Sequence, residues 1–350
     1  MRRRVPVTSA SITRPLPPLH QAEPSPPGVG VGAVPPAGGA AGGPLRLAEE
    51  LREAAATVLR GKPEVVHLAL VALLSGGHLL IEDVPGLGKT LLAKTLARLV
   101  GGTFRRVQAT PDLLPSELTG VSVFHLAGNE WEFRPGPLFA NVVLVDELNR
   151  ATPRTQSALL EAMEEHQVTV DGATRPLPVP FFVVATQNPV ETAGVFPLVE
   201  GQLDRFTVVT AIGPPDPVTE RDLVLGAGGT PALATLAPVT DPSGLGALQA
   251  AVRDVHLSPA AADYLVAVVG ATRSHPTVAI GASPRASLAL AQAARAHALL
   301  AGRDHVTPDD VQRLARPVLA HRLVGRDPRP VFDPDAVLTE VLARVPVPRG

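Results

Sequence analysis

The stretch Asp83-Val84-Pro85-Gly86-Leu87-Gly88-Lys89-Thr90 decides the reading of this 350-residue chain. A short apolar run, His78 to Glu82, precedes it, and a segment with helical periodicity, Leu91 to Val100, follows it. A glycine-rich turn between a strand and a helix is where a phosphate-binding loop sits. The glycines let backbone N–H groups turn inward, and the helix N-terminus adds positive potential at the same point. Lys89 can reach the β- and γ-phosphates of a nucleotide, and the Thr90 hydroxyl can ligate Mg²⁺. Lysine occurs only at positions 62, 89 and 94. A chance match to Pro-Gly-x-Gly-Lys-Ser/Thr in this composition has a probability on the order of 10⁻³ or less, and an ordinary βα turn is the bland alternative. Asp83 stands where the strict pattern has glycine. A carboxylate facing phosphates is unfavourable, so this side chain is expected to turn away. The candidate nucleotide contacts are Asp83, Val84, Pro85, Gly86, Leu87, Gly88, Lys89, Thr90 and Leu91.

A second motif lies some 55 residues downstream, where Val142-Val143-Leu144-Val145 runs into Asp146-Glu147. Two carboxylates at the end of a buried strand carry a desolvation cost that something must offset. Mg²⁺ held by Asp146 and Thr90 would do so, and Glu147 would then orient or deprotonate an attacking water. A solvated acidic strand end is the alternative, and it weakens beside a phosphate loop.

Composition sets the frame. Hydrophobic residues are 45% and charged residues 18%, a globular balance. Net charge is −2, so no global electrostatic attraction to nucleic acid or an anionic membrane is expected. Aromatics at 3% leave few platforms for base stacking. Cysteine is absent, which excludes disulfides, thiolate metal sites and cysteine nucleophiles. The Met1-Arg2-Arg3-Arg4 start lacks a following apolar segment, and no run is long enough to span a bilayer, so a soluble cytoplasmic protein is expected.

Residues 1–44 are rich in proline and glycine and read as a disordered tail, with a docking arm as the alternative. Between residues 45 and 212, apolar strand-like runs alternate with helical periodicity, which predicts an α/β fold with a parallel sheet between helices. Two hairpins interrupt it, around Gly128-Asn129 and Asp171-Gly172. Residues 213–350 read as a smaller helical domain, for example Pro308 to Leu319 after the N-cap Thr307.

With both motifs in place, residues 45–345 resemble the AAA+ ATPases, and within them the MoxR family. The particular stretches are Glu82 to Thr90, Thr110 to Ser116, Phe133 to Asn141, Asp146 to Arg150 and Gln156 to Glu165. The resemblance implies a P-loop NTPase αβα sandwich followed by an all-helical lid. It further implies that Asn188, in Ala185-Thr186-Gln187-Asn188-Pro189, is a sensor for the attacking water or the γ-phosphate. Arg205, in Gln202-Leu203-Asp204-Arg205-Phe206, looks like an arginine finger acting on a neighbouring subunit, with Arg150 a second candidate. Arg285, in Ser283-Pro284-Arg285, looks like a second sensor joining the lid to the nucleotide of its own subunit. The implied catalytic set is Lys89, Glu147, Asn188, Arg205 and Arg285, with ATP and Mg²⁺ as cofactors.

The implied assembly is a homo-oligomeric ring, a hexamer in this resemblance, that remodels or matures a protein client carrying a von Willebrand factor A domain. A metal-chelatase or DNA-associated motor and an ATP-bound scaffold with little turnover are the alternatives. Trp131, the only tryptophan, sits on the first hairpin as a contact candidate or a packed residue. Glu161, Glu164 and Glu165 read as a solvated helix face, and His125, His166 and His321 as structural or exposed.

Overall fold

The computed structural model describes residues 43–190, 194–326 and 332–348. The proline- and glycine-rich segment expected over 1–44 lies outside these residues except for its last two. Helices α1 (Pro44–Val58) and α2 (Pro63–Leu74) lead the described chain. Strand β1 (Leu79–Glu82) enters the phosphate loop and α3 (Lys89–Leu99) leaves it. Then come β2 (Phe104–Gln108), the short α4 (Pro115–Thr119) and a hairpin of β3 (Gly120–His125) and β4 (Glu130–Pro135). Strand β5 (Val142–Asp146), α5 (Pro153–Glu165) and a second hairpin, β6 (Gln167–Val170) with β7 (Ala173–Pro176), follow. Strand β8 (Phe182–Gln187), α6 (Glu200–Leu203) and β9 (Val208–Thr210) complete the α/β region.

Five strands form one sheet in the order β2-β5-β8-β1-β9, and every neighbouring pair is parallel. Side chains alternate between its faces, as a strand's period of two requires. Leu79 and Ile81 of β1, Val142 and Leu144 of β5, and Phe182 and Val184 of β8 join one core with residues of α1, α2 and α3. Leu80, Val143, Val145, Val183 and Ala185 join the other, with Leu159, Leu160 and Met163 of α5. Apolar runs with no polar face are what a parallel sheet covered on both sides demands. The two hairpins turn through Asn129 (φ +49°) and through Asp171 and Gly172 (φ +53° and +75°), at the predicted dipeptides. On the first hairpin Trp131 is 71% exposed and touches Phe124, so it does not pack into the core.

The rest of the chain is mostly helical: α7 (Pro217–Val224), α8 (Gly229–Thr235), α9 (Pro242–Asp254), α10 (Pro259–Arg273), α11 (Pro284–Leu300), α12 (Pro308–Leu319) and α13 (Pro334–Arg344). One small antiparallel pair, β10 (Val278–Ile280) with β11 (Val324–Gly325), interrupts the helices and was not foreseen, being too short for alternation to register. A repeated device starts the helices. Asp216, Asp241, Ser258, Ser283 and Asp333 each accept from a first-turn N–H, and proline follows at the first helical position. On α12, Asp310 Oδ2 accepts from the N–H of the N-cap Thr307 at 2.8 Å, the returning half of a capping box. Leu290 and Ala294 of α11 and Leu314 and Val318 of α12 share the core that contains Leu70 and Leu73 of α2.

His78, just before β1, is buried. Its Nδ1 accepts from the Val183 N–H at 3.1 Å, and its Nε2 lies 3.2 Å from the Met163 carbonyl, to which it donates. Burial lowers its pKa to about 4. Burial also lowers His67, to about 3, with His297 at 2.6 Å adding to the effect, and lowers His321. These rings are neutral when folded, so below pH 6.5 the unfolded chain takes up protons first. Their contribution to stability is complete above that pH and is lost as pH falls toward 4. The urea midpoint is therefore expected to drop between pH 7.5 and pH 5. In His78→Gln, which keeps a donor and an acceptor but cannot titrate, the slope shrinks by up to about 1.4 kcal/mol per pH unit. An unchanged slope would remove His78 from the titration.

Candidate nucleotide site

All five strands of the sheet point one way, so their C-terminal ends share an edge, and the motif residues gather there. Gly86 and Gly88 have φ of +91° and +93°, and a Cβ at either would meet no atom within 4 Å. It is the backbone turn, not crowding, that calls for glycine at both positions. Gly88 caps α3 without a side-chain bond, leaving the first-turn N–H groups free of intrahelical acceptors. Lys89 Nζ donates to the Asp83 carbonyl at 2.6 Å. Thr90 and Leu91 are half-buried in the first turn. The Asp83 carboxylate turns away from the loop, accepting from the N–H groups of Val84, Ile212 and Gly213.

Asp146, at the end of β5, is buried, and its charge is met by Arg106 Nε at 2.7 Å. Arg106 lies on the adjacent strand β2. Glu147 follows in the left-handed region (φ +57°), an uncommon place for a side-chain residue. Its N–H donates to Thr186 Oγ1 at 2.9 Å. Its Oε2 accepts from Gln108 Nε2 at 3.0 Å and lies 3.0 Å from Arg150 Nε. Arg150 thus contacts Glu147 of its own chain. Asn188 follows β8, between the ends of β5 and β1, and its Oδ1 accepts from the Val190 N–H at 3.2 Å in an Asn-Pro turn. The neighbouring Gln187 side chain donates to Glu82.

The remaining two residues of the implied set lie elsewhere. His78 precedes β1 and its carbonyl accepts from Thr207, just before β9, so these residues mark the N-terminal edge of the sheet. A cleft of about 180 Å³ there is lined by His78, Glu164, His166, Arg205, Arg285 and Arg322. Arg205 Nε donates to Glu164 Oε2 at 2.8 Å and Arg285 donates to Glu164 Oε1 at 2.9 Å. The Arg205 bond, then the charge of Arg285, holds the Glu164 carboxyl below its ordinary range. Beneath them Arg322, buried, donates to Asp204 Oδ1 at 2.6 Å and to the Phe206 carbonyl at 2.9 Å. Strand β1, four residues or roughly 13 Å long, separates this cleft from the phosphate loop. Arg285 therefore does not join the phosphate loop of its own chain, which corrects its expected placement. Glu164 is likewise not simply a solvated face residue: it holds two arginines.

The donors present fit a nucleotide with a hard cation. A glycine-turned helix start suits phosphate oxygens, and Asp146 with Thr90 supplies oxygen ligands of the kind Mg²⁺ takes, the rest being phosphate and water. Among the described residues no group of three or more His, Asp or Glu side chains could hold a metal without such help. Sequence reasoning missed Arg106, Gln108 and Thr186. The signal was present for two of them: Arg106 and Gln108 share one side of β2, and Gln108 pairs in register with Asp146.

The chain is similar to known proteins over most of its length. Residues 78–208 match the family described as ATPase family associated with various cellular activities, and residues 270–341 match the AAA lid domain. The chain is 43% identical over 303 residues to Chaperone MoxR1 of Mycobacterium tuberculosis, covering 83% of this chain and 80% of that protein. It is 48% identical over 294 residues to the uncharacterized protein YeaC of Bacillus subtilis, covering 83% and 92%. The crystal structure of a candidate ATPase from Cytophaga hutchinsonii superposes with a TM-score of 0.81 at 32% identity, covering 87% and 96%. A P-loop αβα core followed by a helical lid defines an AAA+ ATPase. Within that class the chain belongs to the MoxR family.

The left-handed backbone at Glu147 yields a stability test. Glu147→Gly and Glu147→Ala both remove the bonds to Gln108 and Arg150, but only alanine keeps the left-handed penalty. The glycine variant is expected to be the more stable of the two by about 1 kcal/mol in urea unfolding. The reverse order would show that the backbone there relaxes once the side chain is gone.

Proposed function

We propose that this chain hydrolyses ATP in a Mg²⁺-dependent manner, in a site shared between two copies, and uses the cycle to remodel a protein partner. The observation that carries the reading is the separation of its charged groups by the length of β1. The phosphate loop, Asp146, Glu147 and Asn188 lie at one edge of the sheet, and Arg205 and Arg285 at the other. Phosphoryl transfer needs cations where charge develops. A second copy offering its arginine edge to the phosphate edge of the first would supply them, as in a closed ring. A bound Mg²⁺ would neutralise charge on the phosphate oxygens.

In this reading Lys89 leaves the Asp83 carbonyl for a phosphate, and Asp146 exchanges Arg106 for the cation. Glu147 releases Gln108 or Arg150 to accept a proton from water. Asn188 positions that water or the γ-phosphate. Arg205 and Arg285 act together on the neighbour, so Arg285 moves from its own subunit's site to the adjoining one. A protein client follows the name of the mycobacterial relative, a chaperone. A client with a von Willebrand factor A domain and a six-membered ring rest on the family resemblance alone.

Steady-state hydrolysis across a protein concentration series tests this. Specific activity should rise with concentration. Glu147→Gln should lower kcat on the order of 10²-fold or more while still binding ATP. Arg205→Ala and Arg285→Ala should each lower it on the order of 10²- to 10³-fold. An equimolar mixture of Glu147→Gln with Arg205→Ala should regain activity, because some interfaces then combine an intact Glu147 with an intact Arg205. A mixture as inactive as its parts, or activity independent of concentration, would overturn the shared site.

A further inference from the structure

Asp83 and Lys62 grip the segment leading from β9 into the helical region from opposite sides of one short peptide. Asp83 Oδ2 accepts the N–H of Ile212 at 2.8 Å and of Gly213 at 2.7 Å. Lys62 Nζ donates to the carbonyls of Ile212 at 2.8 Å, Gly213 at 2.8 Å and Pro214 at 2.6 Å. Gly213 has φ of +64°. A left-handed residue after an ordinary one aims successive N–H groups at a common point, the concavity that binds anions, and here the Asp83 carboxylate fills it. These bonds carry formal charge on the side chain and are stronger than neutral ones. The segment is thus fixed to two places far apart in sequence, the start of the phosphate loop and the start of α2.

The same Asp83 is tied to the phosphate loop through its main chain, because its carbonyl accepts from Lys89 Nζ at 2.6 Å. One residue therefore holds the loop's lysine by its backbone and the junction to the lid by its side chain. A glycine here, as in the strict motif, would leave the loop's backbone contact in place and the junction held from the Lys62 side alone.

We infer that Asp83 is a positioning residue that couples nucleotide occupancy of the phosphate loop to the conformation of residues 212–214, with Lys62 as the opposing anchor. The inference rests on the reading above, in which Lys89 leaves the Asp83 carbonyl for a phosphate. That carbonyl then loses its donor, the peptide around Asp83 resets, and the two amides held by its carboxylate respond. The coupling is reciprocal: whatever biases the junction alters nucleotide affinity by the same factor.

Hydrogen exchange on the full chain tests it, read at the Ile212 and Gly213 amides with and without ADP and Mg²⁺. Saturation is verified separately by titration with a fluorescent ADP, and folding by thermal melts. In the wild type, ADP is expected to change exchange at these amides by roughly fivefold or more. Lys62→Met keeps the apolar stem and leaves the phosphate loop sequence intact, and Asp83→Gly writes the strict motif. In each, at saturating ADP, the change is expected to fall to about twofold or less. A full response in either folded variant would overturn the coupling, as would a wild type that binds ADP without changing these amides. A wild type that fails in the titration would instead remove the nucleotide reading, and this inference with it. If Asp83→Gly does not fold, Lys62→Met decides alone.

Discussion

Five strands running in one direction leave all their C-terminal ends along one edge, and the charged groups gathered there need partners once the apolar strands behind them are dry. Each is met from the next strand or loop: Asp146 by Arg106, Glu147 by Gln108 and Arg150, Glu82 by Gln187, Asp83 by two amides beyond β9. These pairs satisfy groups that would otherwise be costly to bury. They also occupy the positions that nucleotide and cation would compete for. The edge is thus held in a self-compensated arrangement, and the contacts proposed for Lys89, Asp146 and Glu147 are exchanges of partners rather than new charges placed in a low dielectric.

The opposite edge follows a different rule. Arg205, Arg285 and Arg322 crowd into one cleft, and two acids, Glu164 and Asp204, keep that positive charge in place. Arg322 is buried and bonded largely to main-chain carbonyls, so its part is to fix the segment that bears Arg205. Arg205 and Arg285 are more open and share one carboxylate between them. A single α/β layer cannot bring the two edges together. In the proposed shared site, a full complement of charges around one nucleotide would require assembly, and α11, which carries Arg285, would become part of an intersubunit surface.

Much of the fold was legible in the sequence. The runs at Val142 to Val145 and Phe181 to Ala185 have no polar face, which only a doubly covered strand tolerates, and the Asn-Gly-type turns marked both hairpins. The phosphate loop was legible because its glycines are dictated by backbone angles, a local property. Arg285 was misplaced for the opposite reason. Its position depends on how the helical region docks against α2, a matter of side-chain packing across more than 200 residues of sequence that no local pattern records. Glu164 looked solvated because helical periodicity puts it outside, and nothing in its own segment announces two arginines arriving from the turn after α6 and from α11. Arg106 and Gln108 were missed because an edge strand with alternating polar residues ordinarily faces water.

The scarcity of lysine has a practical consequence. Of three side-chain amines, one sits in the phosphate loop, one grips the junction to the lid, and Lys94 alone stands exposed on α3. Reagents that acylate amines would act on this protein almost as site-directed probes. Lys94 would provide an internal standard for labelling, while Lys62 and Lys89 would report on the closure of their own hydrogen bonds. Amine cross-linkers, by contrast, would find no lysine on the arginine edge, so a ring built through that edge would go unseen by them however tightly it formed.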